Sequence, residues 1–85
     1  MAGKVTMYST RFCPFCVRAR VLLKNKGVGF EDIAVDSDPA LRREMMARAN
    51  SYTVPQIWIG ELHVGGCDEL YQLEQRGELD ALLQA

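Results

Sequence analysis

Hydrophobic and polar positions recur along the chain with two periods, which divide it into short strands and amphipathic helices. The period of two over residues 5–9 predicts a first strand, and the apolar β-rich segment at residues 29–35 predicts a second. Residues 56–59 and 62–64 predict a third and a fourth strand. Because only a Gly-Glu pair separates the last two, we expect a hairpin with a type II′ turn.

Three segments outside the strands follow the helical period. Pro14 opens the first helical stretch, where its missing N–H costs no intrahelical bond. An Asp-Ser-Asp-Pro cluster at residues 36–39 starts a second helix, which runs to about Asn50. A third helix opens at Cys67 with acidic residues in its first turn, is interrupted at Gly77 and continues as an amphipathic end.

The predicted element order is β-α-β-α-β-β-α, which places the chain in the α/β class. The helix between the first two strands makes them a parallel pair, whereas the last two strands form an antiparallel hairpin. Because the chain has 85 residues and neither a linker nor an internal repeat, we expect a single domain, residues 1–85.

Composition and charge narrow the classes of function. Hydrophobic residues make up 48% and charged residues 25% of the chain, as is typical of soluble globular proteins. A net charge of −1 gives no basic field for nucleic acid, and no apolar run approaches the roughly 18 residues of a membrane span. The start at Met1 leads into the first strand without the apolar region of a signal peptide. We therefore expect a cytoplasmic protein that binds neither nucleic acid nor membrane.

The three cysteines are an odd number and too few for a secreted disulfide scaffold. Cys13 and Cys16 form a C-x-x-C at a strand-to-helix junction, a context that is typical of a redox-active dithiol. The free N–H groups and the positive dipole end of a helix N-terminus stabilise a thiolate. We therefore expect Cys13 to be the attacking nucleophile and Cys16, one turn into the helix on its apolar face, to be the resolving thiol.

Two other uses of the cysteines are disfavoured. A structural zinc site needs four ligands, and the chain offers three cysteines and His63, which we interpret as an ordinary strand residue. A structural disulfide between Cys13 and Cys16 would close too short a loop to gain much entropy, and a reducing compartment disfavours it. No metal site is therefore expected.

Three separated motifs give the chain a resemblance to the glutaredoxins, specifically the small dithiol type of bacteria. Residues 13–16, Cys-Pro-Phe-Cys, resemble the family's Cys-Pro-Tyr-Cys, and residues 53–55 match its Thr-Val-Pro. Residues 65–68, Gly-Gly-Cys-Asp, resemble its Gly-Gly-x-Asp. The resemblance runs over nearly the whole chain. It implies a thioredoxin-like fold, with a four-stranded mixed sheet flanked by three helices, and a glutathione site with parts in each motif.

The resemblance also implies how this site binds glutathione. A cis bond before Pro55 would present the Val54 backbone to the ligand as to an added strand. After Gly66, the Cys67 N–H would donate to a carboxylate of the γ-glutamyl end, and Asp68 would accept from its α-amine. The Cys67 thiol is interpreted as a small residue at a helix start rather than a catalytic group. The residues expected to bind glutathione are Arg11, Phe15, Thr53, Val54, Pro55, Gly66, Cys67 and Asp68.

Some positions depart from the family pattern. Thr10 stands where the family often has a lysine, with Arg11 as the candidate replacement, and Phe15 replaces the tyrosine of the dithiol motif. Ser51 and Tyr52 stand where many members have a basic residue. The site therefore has fewer cations than the family pattern. This difference bears on the affinity of the site for glutathione.

The hypothesis is an enzyme, a monomeric glutathione-dependent thiol–disulfide oxidoreductase that reduces protein disulfides and protein–glutathione mixed disulfides. The resemblance makes ribonucleotide reductase a candidate protein partner. A thiol-binding adaptor, which would show binding without turnover, and two further alternatives stay open. One is an electron donor recycled by thioredoxin reductase, which a comparison of the two reductants would distinguish. The other is an iron–sulfur cluster carrier that uses Cys13 and glutathione from two protomers, against which the rigid Pro14 and the competing Cys16 argue.

Overall fold

The computed structural model describes residues 4–84, which form four strands and four helices. The strands are β1 (Val5–Ser9), β2 (Phe30–Ala34), β3 (Gln56–Ile59) and β4 (Leu62–Gly65), and the helices are α1 (Pro14–Asn25), α2 (Pro39–Ala49), α3 (Cys67–Gln75) and α4 (Leu79–Gln84). None of these helices is long and apolar enough to cross a membrane. The expectation about the chain start at Met1 lies outside the described residues.

The elements follow the predicted order, except that the last predicted helix is divided in two. Gly77 lies between α3 and α4 with a φ of +72°, a backbone region that favours glycine. Its N–H donates to the carbonyl of Glu74, and the N–H of Glu78 donates to the carbonyl of Leu73. These two bonds form a Schellman motif, which ends α3 by satisfying its last carbonyls. The sheet is therefore flanked by four helices rather than three.

The predicted four-stranded mixed sheet is confirmed, with the order β2-β1-β3-β4. β1 pairs parallel with β2 and antiparallel with β3, and β3 pairs antiparallel with β4. Gly60, at the first central position of the β3–β4 turn, has a φ of +61°, the sign that the predicted type II′ turn requires. Because β1 is a central strand, the loop after Ser9 begins in the middle of the sheet, at the end where β1 stops.

Each face of the sheet is covered by its own apolar cluster, because the alternation of a strand sends successive side chains to opposite faces. In β1, Met7 belongs to one cluster and Tyr8 to the other. The first face packs α1, α3 and α4 on the sheet through Ala19, Leu22, Leu23, Leu70, Leu79 and Leu83. On the second face, Met45 of α2 packs with Trp58. Three helices thus support one side of the sheet and a single helix supports the other.

The ends of α2 are set by the residues that the sequence singled out. The Asp38 carboxylate accepts hydrogen bonds from the N–H groups of Ala40 and Leu41, at 3.0 and 3.2 Å. Asn50 follows the last turn in the left-handed conformation, with φ 52°. The helix therefore stops where the chain must turn back, and residues 51–55 return it to the start of β3.

A charged cluster joins β1, β2 and α1 beside the loop that carries the dithiol. The Arg20 guanidinium donates to Asp32 at 2.6 Å, to the Ser9 hydroxyl at 2.9 Å and to the Thr10 carbonyl at 3.4 Å. The Ser9 hydroxyl in turn donates to Asp32. Because one side chain ties three elements together, Arg20 fixes the path of the chain from β1 to Cys13.

The packing predicts unequal effects of truncating two leucines. Leu70 of α3 is fully buried, so Leu70→Ala is expected to lower the free energy of unfolding by about 2–5 kcal/mol through lost burial and a residual cavity. Leu62 of β4 is 47% exposed, and Leu62→Ala is expected to cost about 1 kcal/mol at most. Urea unfolding of the two variants measures both values, and equal losses would contradict this placement of the core.

Candidate functional site

Cys13 occupies the N-cap of α1, with φ −100° and ψ 114°. Its Sγ accepts a hydrogen bond from the backbone N–H of Cys16 at 3.4 Å. The same sulfur lies 3.8 Å from the carbonyl oxygen of Val54, which brings the loop before β3 against the dithiol. The Cys13 sulfur therefore faces the N-terminus of α1, the end of a helix that attracts negatively charged groups.

Cys16 lies in a different environment from its partner. It is fully buried, and burial together with a smaller contribution from the neighbouring Cys13 raises the pKa of its thiol to about 11. A hydrogen bond with the Thr10 backbone acts in the opposite direction. At neutral pH Cys16 is therefore a protonated thiol, whereas Cys13 is accessible at the helix terminus. This difference supports the predicted division into an attacking and a resolving thiol.

A cleft of about 380 Å³ opens beside the dithiol, between the loop before β3 and the N-terminus of α3. The peptide bond between Val54 and Pro55 is cis, as the motif predicted. The cleft is lined by Phe15, Ser51, Thr53, Val54, Pro55, Gln56, His63, Gly65, Gly66, Cys67, Asp68 and Glu69. All three motifs that the sequence singled out therefore contribute to one concave surface.

Seven of the eight residues predicted to bind glutathione line this cleft, and Arg11 is the one that does not. The backbone N–H and the Nε of Arg11 both donate to the same carboxylate oxygen of Asp36, each at 3.2 Å. These bonds lower the pKa of the Asp36 carboxyl. The Arg11 guanidinium is thus paired with Asp36, and Arg11 is not among the residues that line the cleft.

The N-terminus of α3 is shaped by two glycines and a glutamate. Gly65 has a φ of +112°, and a Cβ there would lie 2.8 Å from Oε1 of Glu69. That carboxylate accepts from the N–H of Gly66 at 2.6 Å. The next two N–H groups, of Cys67 and Asp68, have no intrahelical acceptor because they belong to the first turn. Since both residues line the cleft, the helix start offers a site for an anionic group there.

The thiol of Cys67 is covered, unlike that of Cys13. It is 4% exposed and packs in the cluster under α3, and burial raises its pKa. A neutral, covered thiol at this position agrees with the interpretation of Cys67 as a small residue at a helix start.

Five cleft residues were not among the predicted site residues: Ser51, Gln56, His63, Gly65 and Glu69. Glu69 had a usable signal, since a glutamate three residues after an N-cap is typical of a capping box. Gln56 and His63 had none, because their contact at 2.7 Å depends on the register between β3 and β4. Ser51 reaches the site through local bonds to Thr53.

Comparison with known proteins gives one consistent family. The glutaredoxin family model matches residues 5–64. A glutaredoxin of Pseudomonas aeruginosa is 59% identical over 81 residues, which cover 95% of this chain and 96% of that protein. The solution structure of glutaredoxin from Brucella melitensis has a TM-score of 0.86 at 48% identity, covering 98% of this chain and 90% of that one. The crystal structure of a buckwheat glutaredoxin–glutathione complex has a TM-score of 0.87 at 26% identity, covering 95% and 76%. These likenesses confirm the predicted thioredoxin-like fold.

The unlike environments of the thiols predict selective alkylation. Iodoacetamide at about pH 7 is expected to modify Cys13 first, since the reagent needs an accessible thiolate and burial protects Cys16 and Cys67. Between about pH 7 and pH 9, modification of Cys16 should accelerate about tenfold per pH unit, because its pKa lies higher still. Mass spectrometry of peptides from the reduced, native protein measures each rate.

The matched control is Cys13→Ser. Native Cys13→Ser protein should react slowly at neutral pH, and the same protein in urea should take up label at both remaining cysteines. Equal labelling of Cys13 and Cys16 in the native wild type would contradict the assignment of the nucleophile.

Proposed function

The chain belongs to the glutaredoxin family, and we propose that it uses glutathione to reduce protein–glutathione mixed disulfides and protein disulfides. Membership of the family makes it a thiol–disulfide oxidoreductase. The observation that carries the finer proposal is the position of Cys13, at a helix N-terminus and 3.8 Å from the backbone of a cleft that suits a short peptide.

The cleft has partners for the γ-glutamyl end and for the cysteinyl residue of a glutathionyl group. The α-carboxylate of the γ-glutamyl end suits the N–H groups of Cys67 and Asp68 at the start of α3. The α-ammonium of the same end suits the Asp68 carboxylate. The Val54 backbone would pair with the central cysteinyl residue as with an added strand, which brings the glutathionyl sulfur to Cys13. The buckwheat glutaredoxin–glutathione complex, which shares this fold, supports the choice of ligand.

The Cys13 thiolate attacks the glutathionyl sulfur of a protein–glutathione disulfide. A bond forms between Cys13 Sγ and that sulfur, the bond to the target sulfur breaks, and the target leaves as a thiolate that takes a proton from water. A second glutathione thiolate then attacks the glutathionyl sulfur, and Cys13 leaves as a thiolate while glutathione disulfide is released. Because the helix N-terminus stabilises that thiolate, it makes Cys13 both a populated nucleophile and a good leaving group.

Protein disulfides require Cys16 as well. After Cys13 has formed a mixed disulfide with a target, Cys16 attacks Cys13 Sγ, the target thiolate leaves and an intramolecular disulfide forms. Burial raises the pKa of Cys16 to about 11, so few Cys16 thiolates exist at neutral pH. We therefore expect the resolving step, and with it the reduction of protein disulfides, to accelerate as pH rises.

The proposal also concerns the compartment, the partners and the oligomeric state of the enzyme. A dithiol that glutathione recycles needs a reducing compartment, which supports the cytoplasmic location expected from the sequence. The partners would be proteins with an accessible disulfide or glutathionylated cysteine, and ribonucleotide reductase is a candidate through the family resemblance alone. We propose that residues 1–85 act as one domain and as a monomer.

Replacing each cysteine of the pair is expected to separate the two reactions. Cys13→Ser should abolish both, because a serine oxygen cannot form the mixed disulfide through which both reactions pass. Cys16→Ser keeps the nucleophile and should retain reduction of a glutathionylated peptide while losing reduction of a protein disulfide. NADPH consumption coupled to glutathione reductase measures the turnover of each substrate. Activity retained by Cys13→Ser would contradict the proposed mechanism.

The same assay tests the reductant. Replacing glutathione and glutathione reductase with thioredoxin reductase should leave the wild type nearly inactive. Turnover with thioredoxin reductase but not with glutathione would favour the alternative donor function over the one proposed.

Removing the charge of Asp68 is expected to weaken glutathionyl binding. Asp68→Asn should raise KM for a glutathionylated peptide about 3- to 10-fold with little change in kcat, since an exposed ion pair contributes about 1 kcal/mol. The matched control is Asp80→Asn in α4, where the carboxylate pairs with Lys26 and does not line the cleft. Equal increases in KM would attribute the effect to net charge rather than to a contact of Asp68.

A further inference from the structure

We propose that His63 is a positioning residue of the cleft, which acts through Gln56 to hold the backbone of Thr53 and Val54 in the geometry that binds the glutathionyl group. The inference rests on the proposed function, since it concerns the same cleft. It gives a role to a histidine that the sequence suggests is an ordinary strand residue.

The hydrogen bonds around Gln56 fix the orientation of its amide group. The side-chain Nε2 donates to the carbonyl oxygen of Thr53 at 3.0 Å and to its hydroxyl at 3.1 Å. A carbonyl oxygen can only accept, so the NH₂ group must face Thr53 and the amide oxygen must face His63. That oxygen lies 2.7 Å from Nε2 of His63. Because an amide oxygen also only accepts, His63 must carry a hydrogen on Nε2.

The donor on His63 therefore selects one of the two orientations of a buried amide. Gln56 is 4% exposed, so water is a poor substitute for a missing partner. If the amide turned over, its oxygen would face the Thr53 carbonyl and both bonds to Thr53 would be lost. By satisfying the oxygen, His63 keeps the two donors on Thr53.

The hydrogen bonds that hold Thr53 also restrict the position of Val54 beside the dithiol. Its carbonyl and hydroxyl are held by Gln56, while its N–H donates to the Ser51 hydroxyl at 3.3 Å. The next residue is Val54, whose carbonyl oxygen lies 3.8 Å from Cys13 Sγ. Loosening Thr53 would therefore loosen the loop backbone on which the ligand backbone is expected to pair.

The ring of His63 is held in place by Trp58, which packs in the cluster on the second face of the sheet. It lies opposite Trp58 in the β3–β4 register, and the two rings stack with centroids 4.6 Å apart and planes at 23°. The Trp58 ring packs edge-on against Tyr8 at 5.4 Å, and the guanidinium of Arg48 lies 4.4 Å from its centroid. A covered indole that packs against Tyr8 and Arg48 gives the imidazole a fixed support, which aims Nε2 at Gln56.

The test separates the hydrogen bond from the stacking. His63→Phe keeps an aromatic ring for Trp58 and removes the donor, so KM for a glutathionylated peptide should rise about fivefold with kcat nearly unchanged. His63→Gln supplies a side-chain N–H donor and should restore KM to within about twofold. Alkylation of Cys13 by iodoacetamide, which needs no bound ligand, should proceed at the wild-type rate in both variants.

A double-mutant cycle tests whether His63 acts through Gln56. Gln56→Met should raise KM by a similar or larger factor, because it removes the bonds to Thr53. In that background, His63→Phe should have almost no further effect. If His63→Phe does not fold, the increase in KM of Gln56→Met remains a test of the same coupling to Thr53.

Three results would decide against parts of this assignment. An unchanged KM in His63→Phe, with a wild type that uses glutathione, would overturn the positioning role and leave the proposed function intact. Additive effects in the double variant would overturn it in favour of direct contact between His63 and the ligand. A wild type without glutathione-dependent turnover would instead overturn the proposed function itself.

Discussion

Cys13 lies at the N-terminus of a helix and beside the cleft, and the direction of the strands brings about both placements. The central strand β1 ends just before the loop that carries Cys13. β3 runs antiparallel to β1, so Gln56 at its start lies opposite Tyr8 near the end of β1. β4 runs antiparallel to β3, so its end, Gly65, lies opposite Ile57 near the start of β3. Three motifs that are far apart in the chain therefore meet at one edge of the sheet.

Two helix N-termini place partial positive charge at this edge. The start of α1 faces the Cys13 sulfur, and the start of α3 offers the N–H groups that follow Gly66. Arg11 is paired with Asp36, and Thr10 stands where the family pattern often has a lysine. Cys16 is buried, and its raised pKa keeps its thiol protonated at neutral pH. The two thiols thus differ through their places on one helix rather than through nearby charged side chains.

The face of the sheet opposite α1 and α3 also contributes to the site. Trp58 belongs to the cluster under α2, yet it stacks on His63, which in turn bonds to Gln56 at the floor of the cleft. Because packed rings and a satisfied amide have few alternative arrangements, this contact path gives the loop before β3 a defined shape. The packing between α2 and the sheet therefore also supports the loop that lines the cleft.

Local chemistry determined the features that the sequence could predict. Strand periodicity, the caps of α2 and the C-x-x-C at a helix start depend on neighbouring residues, so they were predictable. Motif resemblance added seven of the residues that line the cleft, together with the cis bond before Pro55. Tertiary structure alone decided the rest. Arg11 pairs with Asp36 across 25 positions of the chain, and His63 meets Gln56 through the β3–β4 hairpin, whose register shifts between Ile57 and Trp58. A polar side chain has several candidate partners, and only the packed fold selects one of them.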